Sequence, residues 1–362
     1  MGAGGTTRLL VPAALPSAHV DRALDVGCGA GTLALMLSRR CRHVVAVDIN
    51  PRALIFGRFN AIVAGIENVE FREGDLFSPV LGDLFDLVVS QPPFVAQPEG
   101  LAHAPYQIGG SRGDELALRL HRELPPHVAE GGRAVILAQW PIVEGDPLEA
   151  RILGALASPR LSLLLVFGLT SSLDHHCIEY AALDDPLLGR EFEQKAIARR
   201  EHLDRLHVSG TMMCADVIVR SKDGAPSGWV HSLEAPRITE GIVRSERIDR
   251  IVAACDLLAA GDDEIAGASL RIVAGTTFVT PAAGEDVRHD VEARMPAASL
   301  AGVLGLNKQS HELLLSIDAF PNVRAAAQAL ADRVGVPIGA VLAKIIPAVR
   351  HALRAGVLEV AR

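Results

Sequence analysis

Short apolar runs alternate with amphipathic stretches from Ala23 to about Val219, and this alternation constrains the fold more than any other feature of the chain. Apolar runs of about four to eight residues indicate buried strands, and the amphipathic stretches between them indicate connecting helices. This order is typical of a parallel sheet with helices on its faces, the Rossmann-like α/β class. We predict seven strands, at Ala23–Val26, Val44–Asp48, Val69–Arg72, Leu84–Ser90, Ala134–Ala138, Leu163–Phe167 and Met213–Val219.

Helices are predicted in most of the gaps between these strands, most clearly at Pro51–Ala64 and Asp114–Leu124. Ser111 stands three residues before Asp114, in the S-x-x-D spacing of a capping box at a helix N-terminus. The polar stretch from Leu183 to His207 is predicted to be one helix that lies over the open edge of the functional site.

The length of 362 residues is too great for one ordinary hydrophobic core, so we expect two domains. The hydrophilic segment Ser221–Ser227 marks the boundary, which gives a first domain of 1–222, with residues 1–20 as an N-terminal extension, and a second of 228–362. The second domain is expected to be smaller and mainly helical, with a winged-helix unit as one arrangement. Its predicted elements are a helix at Ser245–Ala259, a strand pair at Leu270–Val279 around Gly275, and three helices between Gln309 and Val360, the last kinked at Pro347.

Charge and cysteine content narrow the class of protein. The formal net charge of −8 provides no general attraction for phosphate, so nucleic acid is an unfavoured partner, although a local basic patch stays open. An odd count of five cysteines without a C-x-x-C pair argues against a disulfide scaffold and favours a reducing cytoplasm. The longest apolar run, near Leu163–Leu169, is too short to cross a bilayer, and the start of the chain lacks a signal-peptide pattern. We expect a cytoplasmic protein that makes no membrane contact.

The segment Asp25–Gly31, D-V-G-C-G-A-G, follows the first strand and precedes a helix that begins near Thr32. Glycines let a backbone turn sharply and approach a ligand closely, and the helix N-terminus offers free N–H groups. Asp48 closes the second strand, where a carboxylate accepts hydrogen bonds from ribose hydroxyls. These residues predict a nucleotide-like cofactor. A nicotinamide cofactor stays open, because Gly29-x-Gly31-x-x-Ala34 also fits the looser dinucleotide pattern.

The fourth strand runs directly into Gln91-Pro92-Pro93-Phe94. A planar NH2 group has a delocalised lone pair, so a site that makes it react must hold both hydrogens with acceptors while its nitrogen faces the electrophile. A side-chain amide oxygen and a neighbouring carbonyl supply those acceptors. The prolines fix the backbone, and the aromatic ring stacks on the substrate plane.

Together the two segments resemble motifs I and IV of class I S-adenosylmethionine-dependent methyltransferases, in which an acidic residue precedes G-x-G-x-G and N-P-P-Y/F follows the fourth strand. The resemblance covers about Leu10 to Val219 and implies S-adenosylmethionine as the cofactor. It implies that Gln91, Pro92, Pro93 and Phe94 present the acceptor. It also implies a set of cofactor-binding residues at the strand ends: Asp25, Gly27, Cys28, Gly29, Gly31, Asp48, Ile49, Asp75, Leu76 and Ser90.

Gln91 departs from this family pattern, which has Asn, Asp or Ser at the same place. The extra methylene moves the amide by roughly one carbon–carbon bond, and a misplacement of about 1 Å can cost two orders of magnitude in rate. Two readings stay open. Either the amide is retuned for a different amine or amide, or the loop is a relic on an enzyme that methylates oxygen or carbon.

Gly109–Asp114, G-G-S-R-G-D, resembles the segment after motif IV in release-factor glutamine methyltransferases, and rRNA guanine N-methyltransferases are more distantly similar. The release-factor likeness is confined to residues 86–120. The helical domain with which those enzymes dock their protein substrate has no counterpart here, so their substrate is not carried over. Arg112 is a candidate for binding a carboxylate or phosphate of the substrate, although a loop with a helix cap explains the same letters.

His175 and His176, near Cys177 and Glu179, suggest a metal site. Adjacent histidines on a strand or loop point apart, however, and no second cluster matches them, so we predict no metal. One histidine is instead expected to line the substrate pocket as a general base. The second domain contains a basic helix that includes Arg350. This helix suggests a dimer contact or a substrate lid more strongly than it suggests sequence-specific DNA binding.

The sequence therefore predicts an enzyme that transfers a methyl group to a nitrogen, and less readily an oxygen, of a small molecule or peptide. A tailoring step in natural product biosynthesis is the favoured role. The alternatives are an rRNA or protein-glutamine N-methyltransferase, a ligand-sensing DNA-binding regulator and a nicotinamide oxidoreductase.

Overall fold

The computed structural model describes residues 4–101, 105–234, 244–281, 289–295 and 303–361. The described residues fall into two compact units, one up to Asp223 and the other from Gly224 onward. Within them, no helix is both long and apolar enough to cross a membrane.

The first unit alternates strands with helices. Its helices are α1 (Gly5–Ala14), α2 (Thr32–Leu37), α3 (Pro51–Val63), α4 (Glu115–Glu123), α5 (Leu148–Leu156), α6 (Leu173–Asp184) and α7 (Arg190–Arg205). Its strands are β1 (Val20–Val26), β2 (Cys41–Asp48), β3 (Val69–Glu73), β4 (Phe85–Ser90), β5 (Val95–Ala96), β6 (Ile108–Gly110), β7 (Val128–Val143), β8 (Leu161–Ser172) and β9 (Val208–Arg220).

Seven of these strands form one sheet in the order β3-β2-β1-β4-β7-β9-β8. Each contains or overlaps one of the seven predicted strands, and the predicted Rossmann-like fold class is confirmed. The expectation of an entirely parallel sheet is wrong at its last strand, because β9 runs antiparallel to both β7 and β8. The reason lies in the connection. Helices α6 and α7 stay at the edge where β8 ends, so the chain returns as a neighbouring antiparallel strand without a crossover.

The stretch between β8 and β9 differs from its prediction. The expected single helix over 183–207 is two helices, because α6 ends at Asp184 and α7 begins only at Arg190. Pro186 lies in this break, and a proline disfavours helical backbone in the residue before it. His175 and His176, expected on a strand or loop, lie in the first two turns of α6.

The hydrophobic core of this unit lies against the central strands. Leu24 and Val26 of β1, Val88 of β4 and Ile136 of β7 are almost completely buried in one cluster, which helices α4 and α5 also line. Paired registers join Val26 to Ser90 and Ser90 to Ile136. The carboxyl ends of β1 and β4 therefore meet at one edge of the sheet, and β7 continues beyond them.

The second unit has its own core and its own small sheets. Its helices are α8 (Ser245–Ala260), α9 (Asp262–Gly267), α10 (Lys308–Asp318), α11 (Val323–Val334) and α12 (Ile338–Arg354). Its strands are β10 (Val230–Glu234), β11 (Leu270–Ile272), β12 (Thr277–Val279), β13 (Val291–Arg294), β14 (Val303–Leu306) and β15 (Leu358–Val360).

The predicted strand pair around Gly275 is wrong in its pairing. β11 pairs antiparallel with β15 at the end of the chain, and β12 pairs antiparallel with β13. The sequence shows two short strands and a turn, but it does not show that distant strands offer better partners. Helix α12 continues through Pro347. The guanidinium of Arg350 forms an ion pair with Asp262 at 2.7 Å.

Candidate active site

The loop after β1 is held to the neighbouring strand by its backbone. The N–H groups of Gly27 and Cys28 donate to the carbonyl of Val47 at 2.8 and 2.9 Å. Gly27 and Gly29 have positive φ angles of 74° and 55°, and a Cβ added to either would meet no atom within 4 Å. The hydrogen bonds to Val47 therefore fix the loop to β2. The side on which a Cβ of Gly27 or Gly29 would lie is open to a ligand.

Asp25 lies beneath this loop and is buried. One carboxylate oxygen accepts a hydrogen bond from the N–H of Ala34 in the first turn of α2, at 2.9 Å. Burial raises the pKa of Asp25, the hydrogen bond from Ala34 opposes the rise and the neighbouring charge of Asp48 adds to it, so that the pKa lies at about 7. This acid joins the loop to α2.

Asp48 fixes the loop from the side. Its Oδ2 accepts from the N–H of Gly29 at 2.7 Å, and its Oδ1 accepts from the N–H of Asn50 at 2.8 Å. Each carboxylate oxygen keeps a further acceptor position, so two hydroxyl groups can still be bound here. Ile49, the next residue, exposes 67% of its surface beside this carboxylate.

Asp75 and Leu76 follow β3 at the same edge. The carboxylate of Asp75 is paired with the guanidinium of Arg119 on α4 at 2.8 Å, and this pairing raises the pKa of Arg119. Leu76 has a positive φ of 46° and packs against the core. The sequence prediction included Asp75 but not Arg119.

The segment Gln91–Phe94 begins directly beside the glycine loop. The hydroxyl of Ser90 donates to the carbonyl of Val26 at 2.8 Å, which ties the ends of β4 and β1 together. Pro92 is buried, Pro93 is half-buried, and the ring of Phe94 packs against the core. Because neighbouring strands lie about 4.8 Å apart, the segment and the loop lie side by side at this edge of the sheet, and we call the surface that they share the candidate cleft.

The side-chain amide of Gln91 is bound by two hydroxyls of α1. Its Oε1 accepts from the hydroxyl of Thr7 at 3.0 Å, and its Nε2 donates to the hydroxyl of Thr6. The predicted N-terminal extension is therefore a helix that reaches the candidate acceptor site.

The glycine-rich segment after β6 packs directly on the proline segment. A Cβ at Gly113 would lie 2.7 Å from the carbonyl oxygen of Phe94, so only glycine fits this close approach. The predicted capping box is wrong. The carboxylate of Glu115, instead of the hydroxyl of Ser111, accepts from the N–H groups of Arg112 and Gly113.

Arg112, the predicted substrate-binding residue, is paired within the protein. Its guanidinium donates two hydrogen bonds of 2.9 Å to the carboxylate of Asp114, which is fully buried and also binds Arg151. A third acid, Asp146, lies 3.7 Å from the same guanidinium. These contacts neutralise Arg112 and hold the loop to α5.

Helices α6 and α7 supply the far wall of the cleft. The buried guanidinium of Arg199 donates to the carbonyl of Ala96 at 3.1 Å and to the carboxylate of Asp184 at 2.6 Å. Nε2 of His202 lies 2.8 Å from the carbonyl oxygen of Ser111. Both contacts fix the chain that follows Phe94.

The two candidate histidines face opposite environments. His175 is exposed, whereas His176 is buried, with its ring 4.7 Å from that of Tyr180 and its Nδ1 3.5 Å from the hydroxyl of Thr211. Burial, together with the charges of Arg199 and His175, lowers the pKa of His176 to about 4. This ring is neutral at neutral pH.

Tyr180 extends this contact to the sheet, because its hydroxyl donates to Oε1 of Gln139 on β7 at 3.1 Å. Thr6, Thr7, Gln139, Tyr180, Arg199 and His202 were all missed by the sequence prediction. None lies in a recognisable motif, and each reaches the cleft through a contact distant in sequence. Among the described residues, no group of three or more His, Cys, Asp or Glu side chains is arranged to hold a metal ion.

Comparisons with known proteins agree with this geometry. Residues 4–108 match the family model described as the methyltransferase small domain. A release factor glutamine methyltransferase from Xylella fastidiosa is 36% identical over 136 residues, 35% of this chain and 50% of that protein. A ribosomal protein uL3 glutamine methyltransferase from Xanthomonas campestris is 33% identical, over 32% of this chain and 40% of that protein.

A third relative, ribosomal RNA small subunit methyltransferase C from Chromohalobacter salexigens, is 36% identical over 37% of each chain. Among solved structures, that of geranyl diphosphate methyltransferase in complex with SAM has a TM-score of 0.38 and 17% identity, over 58% of this chain and 82% of that one. The chain spans about half the length, or less, of the curated relatives it matches. The release-factor likeness is longer than the segment 86–120 to which the sequence analysis confined it.

Proposed function

We infer that the first unit is a class I methyltransferase domain, because residues 4–108 match the methyltransferase small domain and the curated relatives are methyltransferases. The predicted resemblance and the predicted cofactor, S-adenosylmethionine, are confirmed at this level. What the whole chain methylates is our proposal, and it is argued below from the cleft.

The residues of the cleft fit this cofactor. The open space over Gly27 and Gly29 admits a ligand against the loop backbone, and Asp48 keeps acceptor positions for the two ribose hydroxyls. Asp75 is placed to accept from the adenine amino group at the end of β3. When bound, the cofactor supplies a methyl group on a sulfonium, whose S–C bond breaks as the bond to the acceptor forms and S-adenosylhomocysteine leaves.

The acceptor we propose is a planar nitrogen, in an amide or amine of a peptide or protein. The observation that carries this is the Ser90–Val26 hydrogen bond, which places Gln91 next to the glycine loop. From there the amide oxygen of Gln91 accepts from the acceptor N–H, while Pro92 and Pro93 hold the backbone and Phe94 supports the substrate plane. Positioning and exclusion of water then provide most of the catalysis.

His176 is a poor candidate for the predicted general base, because its lowered pKa makes it a weak proton acceptor at neutral pH. We assign it a supporting role beneath Tyr180. The proton that the nitrogen loses on methylation passes to solvent.

Ribosomal RNA is the second candidate acceptor, since one curated relative is an rRNA methyltransferase by name. The net charge of −8 favours peptide or protein over RNA, because RNA binding relies on lysine and arginine contacts to phosphate. A small molecule, which the sequence analysis favoured together with a peptide, is the third. The five cysteines are free and buried, and we place the protein in a reducing cytoplasm.

The test is transfer of a tritiated methyl group from S-adenosylmethionine to protein, RNA and small-metabolite fractions of a host extract. We expect label in the protein fraction, in a form released by acid hydrolysis as a methylated side chain. Label found only in RNA or only in metabolites would show that the acceptor is RNA or a metabolite and not protein. Thermal stabilisation by NAD(P) and none by S-adenosylhomocysteine would overturn the methyltransferase assignment itself.

A further inference from the structure

The side-chain amide of Gln91 is hydrogen-bonded at both its oxygen and its nitrogen. Thr7 donates to its oxygen at 3.0 Å and Thr6 accepts from its nitrogen, so both ends of the amide are bound by one turn of α1. Thr6 and Thr7 are each partly exposed, and Leu10, one turn further along, is buried and anchors the helix. A buried anchor next to the two hydroxyls fixes where they lie.

The need for such contacts follows from the residue at this position. Glutamine has one more rotatable side-chain bond than asparagine, so its amide samples more orientations from the same backbone. An acceptor amide must be held within about 0.5 Å of its productive place, and loose placement lowers the rate. Two hydrogen bonds in different directions remove this extra freedom.

The contacts leave the amide able to act. A carbonyl oxygen has two lone pairs, and Thr7 occupies one of them, so the other remains for an N–H of the acceptor. The second N–H of the amide nitrogen also remains after Thr6 is bound. The arrangement therefore orients the group without using up its hydrogen-bonding capacity.

We propose that Thr6 and Thr7 are positioning residues that hold the Gln91 amide toward the acceptor nitrogen, an inference that rests on the proposed function. The longer side chain at position 91 and the threonine pair on α1 act together to place the amide. This arrangement sets which acceptor fits, because it holds the amide oxygen one methylene further from the backbone than asparagine does.

The test compares Thr6→Val/Thr7→Val, which keeps shape and removes both hydroxyls, with Thr6→Ser/Thr7→Ser, which restores them, and with Arg8→Ala on the same helix. We expect the valine pair to lose about 10- to 30-fold in kcat. The serine pair should recover most of that loss, and Arg8→Ala should match the unchanged protein. Calorimetric affinity for S-adenosylhomocysteine should be the same in all four proteins.

A double-mutant cycle with Gln91→Asn separates positioning from general structure. The shorter side chain withdraws the amide from both threonines, so the valine pair should cost nothing further in that background. The Gln91 side-chain amide resonance, assigned by its absence in Gln91→Asn, should shift in the valine pair even without substrate.

A wild-type kcat in the valine pair, a loss of equal size in the Gln91→Asn background, or an unmoved amide resonance would each overturn the inference. Absence of methyl transfer by the unchanged protein would instead refute the proposed function, and the resonance would still report on the contact. The two failures are therefore distinguishable.

Discussion

The two halves of the cleft are built from contacts of very different range. On the cofactor side, Asp25 binds a group nine residues away and Asp48 binds one 19 residues away. On the acceptor side, Gln91 is bound across 84 and 85 residues, and Arg199 reaches a carbonyl 103 residues away. Apart from the Asp75–Arg119 ion pair, which spans 44 residues, short-range contacts define the first half, whereas distant helices that meet only in the folded chain define the second.

This difference in contact range matches the different chemical requirements of the two sides. The cofactor side needs one fixed set of donors and acceptors for one ligand, and a strand, a glycine turn and a helix supply them within a single unit of supersecondary structure. The acceptor side must match a particular substrate. We expect that long-range contacts from α1, α6 and α7 can change there without disturbing the turn that we propose as the cofactor site.

The first and largest effect is expected from Asp48→Ala on the cofactor side. The change removes the acceptor of the Gly29 N–H and the proposed partner of the ribose hydroxyls, and hydrogen bonds to a charged group contribute about 1.5–3 kcal/mol each. Affinity for S-adenosylhomocysteine should fall roughly 300-fold by calorimetry. Glu73→Ala, which removes the exposed acid paired opposite Asp48 on β3, is the control and should bind normally. An unchanged affinity in Asp48→Ala would place the ribose elsewhere.

The second effect is expected from Arg199→Met on the acceptor side. Arg199 is buried, and its replacement removes the 2.6 Å bond to Asp184 and the bond to the Ala96 carbonyl. Removing one member of a buried pair costs about 3 kcal/mol, so the free energy of unfolding should fall by that order in a urea titration. Methyl transfer should drop more than tenfold while cofactor affinity stays within about threefold.

Lys195→Met is its control, because Lys195 lies one turn earlier on α7 and forms its 3.0 Å ion pair with the exposed Glu191. That variant should unfold and transfer methyl groups like the unchanged protein. Equal losses of cofactor affinity and transfer in Arg199→Met would mean that the two halves of the cleft are coupled, contrary to the comparison drawn here.

The third and smallest effect concerns pH and Asp25. Its folded pKa of about 7 lies above the ordinary value of 3.8, so the folded chain binds this proton more tightly than the unfolded chain does. The resulting contribution to stability is therefore lost as pH rises between these two values. It should amount to roughly 2–3 kcal/mol between pH 5 and pH 8.

Denaturation at pH 5 and pH 8 measures this contribution. Asp25→Asn keeps an acceptor for the Ala34 N–H but does not titrate, so its stability should vary less over that range. Identical pH profiles for the two proteins would show that Asp25 is ionised when folded at pH 5.

The sequence predicted the half of the cleft that depends on local geometry. Periodicity located the seven strands β1 to β4 and β7 to β9 but not the short pair β5 and β6. D-V-G-C-G-A-G and Q-P-P-F lie at strand ends on one edge, as their order along the chain requires. It did not predict the contacts of Thr6, Tyr180 or His202, because a side chain carries no signal for a partner that lies 41 to 91 residues away. Their positions depend on how α1, α6 and α7 pack.

The two wrong local predictions, the helix cap and the strand pair, have a similar cause: the sequence does not show which partner the folded chain will use. The S-x-x-D pattern at Ser111 looked like a helix cap, yet Glu115 is one residue better placed to accept both free N–H groups. The strand pair at Gly275 looked like a hairpin, yet β11 and β12 found other partners. In each case the local sequence is compatible with the predicted arrangement, but the folded chain adopts a different one.

The bond from Ser90 to Val26 has a consequence for redesign. It joins two strands whose spacing is set by the backbone ladder, so the separation between the ends of β1 and β4 is a constant of the scaffold. Segments that replaced α6 and α7 would therefore have to restore the bonds to the carbonyls of Ala96 and Ser111, but they would inherit this separation unchanged.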